Sequence, residues 1–202
     1  MKKLLLGFAG EMASGKGTAA ELVKLWHPET PSFRFSDSLR EFWVLWREHL
    51  ATCHRLALPE EASTTDLQQL STLVRQLFGE NVLERAIVAR AECSSAQSPI
   101  VVIEGIRRLV DVSTLVADPQ YCFHLTYIEA CPEVRWERHR IRNEKPGDAD
   151  LTFEQFVELG RAEPEQQIRL LKPHAHLVID NSGPQGVLEE TLRQQVGQWL
   201  VS

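Results

Sequence analysis

Lys3-Leu4-Leu5-Leu6-Gly7-Phe8-Ala9 runs directly into Gly10-Glu11-Met12-Ala13-Ser14-Gly15-Lys16-Gly17-Thr18, and Ala19, Leu22, Val23 and Trp26 follow at helical spacing. The opening run is apolar without alternation, which is the pattern of a strand covered on both faces. In a glycine-rich turn after such a strand, successive backbone N–H groups point inward. The next helix adds free N–H groups and the positive end of its dipole, so the turn cradles phosphate oxygens. Met12, Ala13, Ser14, Gly15, Lys16, Gly17 and Thr18 form this loop, with Lys16 reaching the outer phosphates as a point charge. A loop of this kind ordinarily ends Gly-Lys-Ser or Gly-Lys-Thr. Here Gly17 intervenes and Thr18 comes one position late, so Mg²⁺ is expected to be held mainly through water. The blander alternative is a turn whose lysine is merely solvated; the strand–loop–helix setting favours phosphate.

Further strands are expected at Ser32 to Phe35, Ile100 to Glu104, Phe123 to Ile128 and Leu177 to Ile179. Pro28 and Pro31 close the first helix. Ser38 with Glu41 reads as a capping box, after which Leu39, Phe42, Trp43, Trp46 and Leu50 fall on one helical face. From there to Ser98 the chain reads as helices and loops. Pro132 opens another helix, Thr152 with Gln155 caps one, and Leu188, Leu192, Val196 and Leu200 recur every four residues on the last. Apolar strands alternating with helices imply an α/β fold of three layers, α/β/α, around a parallel sheet of five strands. Ligands in such folds lie beyond the carboxyl ends of the strands. The residues to interrogate are therefore Gly10 to Thr18, Ser36 to Arg40, Glu104 to Arg107, Ala130 onward and Asp180 to Gly183.

Two hundred and two residues suit a single domain, 1–202. With 22 Lys and Arg against 28 Asp and Glu, the net charge of −6 argues against a general nucleic-acid or membrane-surface binder. Met1-Lys2-Lys3 before three leucines resembles a leader, but the run breaks at Gly7. Cys53, Cys93, Cys122 and Cys131 have no metal-binding or redox spacing and read as buried, reduced thiols of a cytoplasmic protein.

Gly15-Lys16-Gly17-Thr18 is the form of the phosphate loop found in adenylate kinases, and more of the chain resembles the nucleoside monophosphate kinase-like group of P-loop kinases. Asp37-Ser38-Leu39-Arg40 looks like that group's Asp-x-Leu-Arg, and Val102-Ile103-Glu104-Gly105-Ile106-Arg107 is similar to its apolar-Asp-Gly-x-Arg segment. Arg138 and Arg142 resemble its lid arginines. Val178-Ile179-Asp180-Asn181-Ser182-Gly183 is closer to dephospho-coenzyme A kinases. The resemblance implies ATP as phosphoryl donor, Mg²⁺, and a small nucleotide-like acceptor, held by a helical insert at 38–99 and covered by a short lid at 138–163. Nucleic acid and membrane are not expected partners, and the protein would be a monomer or homodimer.

On this reading Arg40 and Arg107 grip a phosphate on the acceptor, because a guanidinium fork matches phosphate oxygens. Asp37 is either a base, a ligand of metal-bound water or a helix cap. Glu104, ending a buried strand, needs a partner, and Lys16, Mg²⁺ through water or Arg107 would supply one. Arg138 and Arg142 close over the nucleotide, Arg161 reaches back to the phosphates, and Asn181, Ser182 and Gly183 receive the adenine. The first reading of acceptor is a nucleoside or deoxynucleoside monophosphate. Dephospho-coenzyme A is the alternative, although Phe35-Ser36-Asp37 lacks that group's Asp-x-Asp pair. A nucleoside kinase and a regulatory ATP-binding module are the others.

Overall fold

A computed structural model describes residues 2–94, 98–143 and 148–201. In chain order the elements are β1 (Lys3–Ala9), α1 (Lys16–Trp26), β2 (Ser32–Arg34), α2 (Phe35–His54), α3 (Thr64–Phe78), α4 (Val82–Ser94), β3 (Ile100–Glu104), α5 (Leu109–Val116), β4 (Tyr121–Glu129), α6 (Pro132–Arg142), α7 (Phe153–Leu159), α8 (Glu163–Arg169), β5 (Leu177–Asp180) and α9 (Gln185–Val201). The strands form one parallel sheet in the order β2-β3-β1-β4-β5. β1 is central, with Phe8 in register with Glu104 on one side and Thr126 on the other.

Strand residues alternate between two apolar layers. Leu4, Leu6, Phe8, Val102, Ile128 and Ile179 meet α1 and α9 through Ala19, Val23, Leu188, Leu192 and Val196. Leu5, Val101, Ile103, Phe123 and Leu125 face Leu39, Leu67, Leu83, Ile87, Val112 and Leu115 on the opposite side. Both faces are thus covered, and this is why the strand sequences show no polar alternation. The three-layer α/β/α architecture is as the sequence implied.

Local differences have local causes. α2 begins at Phe35, directly after β2, and Asp37 caps it by accepting the Arg34 N–H at 2.7 Å. The Ser38–Glu41 pair therefore falls inside the helix and is no capping box. The aromatic face of α2 does not become core: Leu39 is buried, but Phe42 and Trp46 are exposed and stack on each other. Helix α5 carries too few residues and too many β-branched ones to show helical periodicity; Asp111 caps it. All four cysteines are free and exposed, correcting the expectation of buried thiols. The Thr152–Gln155 capping box forms as expected, with both bonds present. Among the described residues no helix is long and apolar enough to cross a membrane.

Candidate active site

The β1–α1 loop owes its shape to two glycines. Gly10 has φ 145°, and a Cβ there would lie 2.1 Å from the Ile128 carbonyl oxygen of β4. Gly15 has φ 111°, and its Cβ would lie 2.2 Å from Nδ2 of Asn181. These are positions where only glycine lets the backbone approach. Asn181, buried at the end of β5, donates from that Nδ2 to the Ser14 carbonyl at 2.9 Å and so wedges the back of the loop. Gly17 is open, with nothing within 4 Å of its would-be side chain.

Lys16 folds over the loop and donates to the Gly10 and Glu11 carbonyls at 2.6 and 2.8 Å. Its pKa is lowered to about 8. Burial is the main cause, opposed by the Glu165 carboxylate and reinforced by the charges of Arg107, Arg142 and Arg135. The lysine therefore stands where cationic side chains from the β3–α5 loop and α6 converge, a field that an anion relieves. The Met12 N–H, at the loop's crown, is taken by Glu165 Oε2 at 3.0 Å. Glu11 is clamped by Arg169 at 2.6 Å and Arg135 at 3.4 Å. Arg135 also donates to the Ala130 carbonyl and lies over Phe156, so it buttresses the loop.

Beyond β2 and β3 lies a cavity of about 500 Å³, lined by Arg40, Arg107 and Arg108 at one part of its wall and by Gln68, Ser71 and Thr72 of α3 at another. Phe35, Leu39, Leu67 and Leu83 supply apolar wall. Its size is that of a small-molecule site. Arg107 both lines this cavity and bears electrostatically on Lys16, which makes it the link between loop and cavity.

The remaining sequence candidates are placed as follows. Arg138 donates from Nη2 to the Asn181 carbonyl at 2.9 Å, while its Nη1 is buried without a hydrogen-bond partner. Ser14 Oγ and Asn181 Oδ1 are likewise buried and unpaired. These three atoms lie on the buried side of the loop, where Asn181 joins Ser14 and Arg138. Ser182 accepts the Cys131 N–H and donates to Asp180, which makes it a turn residue, and Gly183 is exposed. Glu104 is satisfied by Ser32 at 3.1 Å and Arg34 at 3.5 Å, not by Lys16 or Arg107. Asp37 is occupied as the cap of α2 and does not line the cavity. Arg161 is exposed and pairs with Glu158 at 2.9 Å. Of the expected lid, residues 144–147 lie outside the described residues.

ATP fits this loop: the glycine-held cradle and the lysine desolvated among cations suit its phosphates. Mg²⁺ fits only as a companion of the nucleotide. Thr18 is exposed in the first turn of α1, Glu104 is engaged elsewhere, and among the described residues no three His, Cys, Asp or Glu side chains cluster to hold a metal. Sequence reading missed Glu165, Arg169, Arg108 and the α3 polar row. Arg108 was signalled by its neighbour Arg107, and Gln68, Ser71 and Thr72 by their helical spacing. Nothing local announces a carboxylate 153 residues from the amide it binds.

No family model matches the chain. It is 25% identical over 190 residues to a UPF0200/UPF0201 protein of Archaeoglobus fulgidus, covering 94% of this chain and 54% of that protein. It is 29% identical over 99 residues to a UPF0200 protein of Thermococcus gammatolerans, covering 48% and 51%. The chain spans about half the length of the curated relatives it matches. Among solved structures, TT1252 from Thermus thermophilus matches with a TM-score of 0.54 at 20% identity, covering 98% of each chain. Shikimate kinase from Bacteroides thetaiotaomicron matches at 0.52 and 14% identity, covering 98% and 99%. The chain has the fold of P-loop kinases.

Proposed function

We propose that the protein transfers the terminal phosphoryl group of ATP to a small nucleotide-like acceptor, first of all a nucleoside or deoxynucleoside monophosphate. The observation that carries this reading is Arg107, which borders the 500 Å³ cavity and acts on Lys16 at once. Phosphoryl transfer needs donor and acceptor held in line and the charge between them neutralised. Lys16 and the loop amides hold the donor's outer phosphates, with Mg²⁺ adding charge neutralisation when bound. Arg40, Arg107 and Arg108 receive the acceptor's phosphate. The bond from the transferred phosphorus to the nucleotide diphosphate breaks, and one to an acceptor oxygen forms.

The choice of monophosphate over nucleoside rests on proton chemistry. A phosphate oxygen attacks already ionised, whereas a sugar hydroxyl needs a base within reach. The cavity's carboxylates are Asp111, fully engaged with Arg75 and two backbone amides, and Glu163, exposed on α8. Asp37 is engaged as a cap. Ligand-binding function without transfer is weakened as an alternative by Arg40, Arg107 and Arg108, which stand with the ion-paired Arg75 around a cavity separate from the loop that would hold ATP.

Coupled ADP release should be measured over ribo- and deoxynucleoside monophosphates, nucleosides, dephospho-coenzyme A and shikimate, the last because a structural neighbour bears that name. Turnover with a monophosphate and none with nucleosides is expected. Turnover confined to dephospho-coenzyme A or shikimate overturns the acceptor assignment. Tight ATP binding that no acceptor alters identifies a regulatory module instead.

A further inference from the structure

Arg75, Glu84 and Asp111 are charged, come from three different helices, and are almost wholly removed from water at 5%, 0% and 2% exposure. Arg75 on α3 pairs with Glu84 on α4 at 2.9 Å and Asp111 on α5 at 3.2 Å, and also donates to the Glu80 carbonyl. Buried ion pairs of this kind rarely add net stability over apolar residues of equal volume, because desolvation offsets their attraction. Stability alone therefore gives no account of why three charges stand here.

The division of labour within Asp111 supplies one. Its Oδ1 takes Arg75, while its Oδ2 accepts the backbone N–H groups of both Arg107 and Arg108 at 3.0 Å. A helix cap needs only the second of these. Arg75 and Asp111 also line the cavity whose wall carries those two arginines. Arg75 is thus a strut from the α3 wall, where Gln68, Ser71 and Thr72 stand, to the loop that presents the cations.

We propose that Arg75, Glu84 and Asp111 form a buried positioning network that fixes the Arg107–Arg108 loop, and with it the phosphate seat of the acceptor cavity, relative to helix α3. None of the three touches the acceptor's reacting atoms; they act through Arg107 and Arg108. Glu84 accepts from both Nη1 and Nη2 of Arg75, and the same Nη2 reaches Asp111, so Glu84 steadies the guanidinium that holds Asp111 in one rotamer. The inference rests on the acceptor-side reading of this cavity made above.

The test uses ¹⁵N-labelled full chain saturated with Mg²⁺ and a non-hydrolysable ATP analogue, titrated with inorganic phosphate. The donor loop is then filled, so shifts of the Arg107 and Arg108 amide signals report phosphate in the acceptor seat. Asp111→Asn and Arg75→Met should weaken phosphate binding at least tenfold and speed hydrogen exchange of those two amides, while the affinity for the analogue stays within twofold. Arg75→Lys, which keeps the charge, should recover part of the loss and serves as the test where the harsher variants do not fold. Phosphate binding unchanged in folded variants overturns the network. Collapse of every variant including Arg75→Lys overturns it too, by making the triad structural only. If the wild-type chain takes up no phosphate near Arg107, the acceptor reading itself falls, and that outcome is separate from the other two.

Discussion

Replacing Lys16 by methionine should abolish phosphoryl transfer and yet leave the nucleotide-free protein at least as stable as the wild type. The lysine's pKa falls from 10.5 to about 8 because its ammonium is stripped of water among Arg107, Arg142 and Arg135. A depression of that size corresponds to about 3 kcal/mol disfavouring the charged form. Between pH 8 and 10.5 the unfolded chain binds more protons than the folded one, so wild-type stability rises with pH across that window. Below it the folded protein carries the whole penalty, offset by the bonds to the Gly10 and Glu11 carbonyls. Lys16→Met should therefore gain about 1–3 kcal/mol at pH 7. Phosphates brought by ATP restore the charged form, so binding must draw a proton from solution: about 0.1 at pH 7, about 0.5 at pH 8 and about 0.9 at pH 9. Calorimetric titration of ATP in buffers of differing ionisation enthalpy measures this directly, and the ATP phosphates are fully ionised at the upper two values. Proton uptake that does not rise from pH 7 to 9, or that survives in Lys16→Met, refutes the argument that this lysine meets the phosphates.

Arg40→Ala should raise the acceptor KM about 10–100-fold with the ATP KM within twofold, the loss of one charge-assisted phosphate contact; equal effects on both substrates would remove Arg40 from the acceptor side. Gly10→Ala drives a Cβ into the Ile128 carbonyl, so β4 must shift against the central strand. A loss of about 3 kcal/mol and of roughly 6–12 °C in Tm is expected by thermal unfolding, whereas Gly17→Ala, facing open space within α1, should hold Tm or raise it by a few degrees. Glu84 is pushed up to about 7 by burial and by Asp111, against the pull of Arg75. Its folded pKa exceeds the unfolded 4.5, so its contribution is complete below pH 4.5 and is lost as pH rises through 7. Between pH 5 and 8 the wild type should lose about 2 kcal/mol relative to Glu84→Gln in denaturant midpoints; parallel curves would contradict the shift.

What the sequence made legible was local or periodic. The phosphate loop is contiguous, so Gly10 to Thr18 showed both the turn and the helix start without any tertiary knowledge. Strands covered on two faces announced themselves as unbroken apolar runs at Leu4 to Ala9 and Ile100 to Ile103. Where several local solutions compete, the reading slipped: Asp37 and Ser38 are equally good caps, and only the immediate passage from β2 into α2 selects Asp37. Glu104 was rightly seen to need a partner, but its partner lies on β2, the neighbour of β3 in the sheet, a fact that strand order alone decides. Phe42 and Trp46 sit at core spacing on a helix that extends past the core it was expected to line. The contacts of Glu165 with Met12, Arg169 with Glu11 and Arg75 with Asp111 join segments 36 to 158 residues apart, and no short-range pattern encodes them.

The wedge that Asn181 drives behind Ser14 has a consequence for biosynthesis. The loop precedes by 167 positions the residue that sets its curvature. A nascent chain halted before β5 would display every glycine and the lysine of the loop while lacking the backing that shapes it. On the proposed reading, nucleotide capture waits until β5 has been made and packed, and ATP can act as a stabilising ligand only after that point.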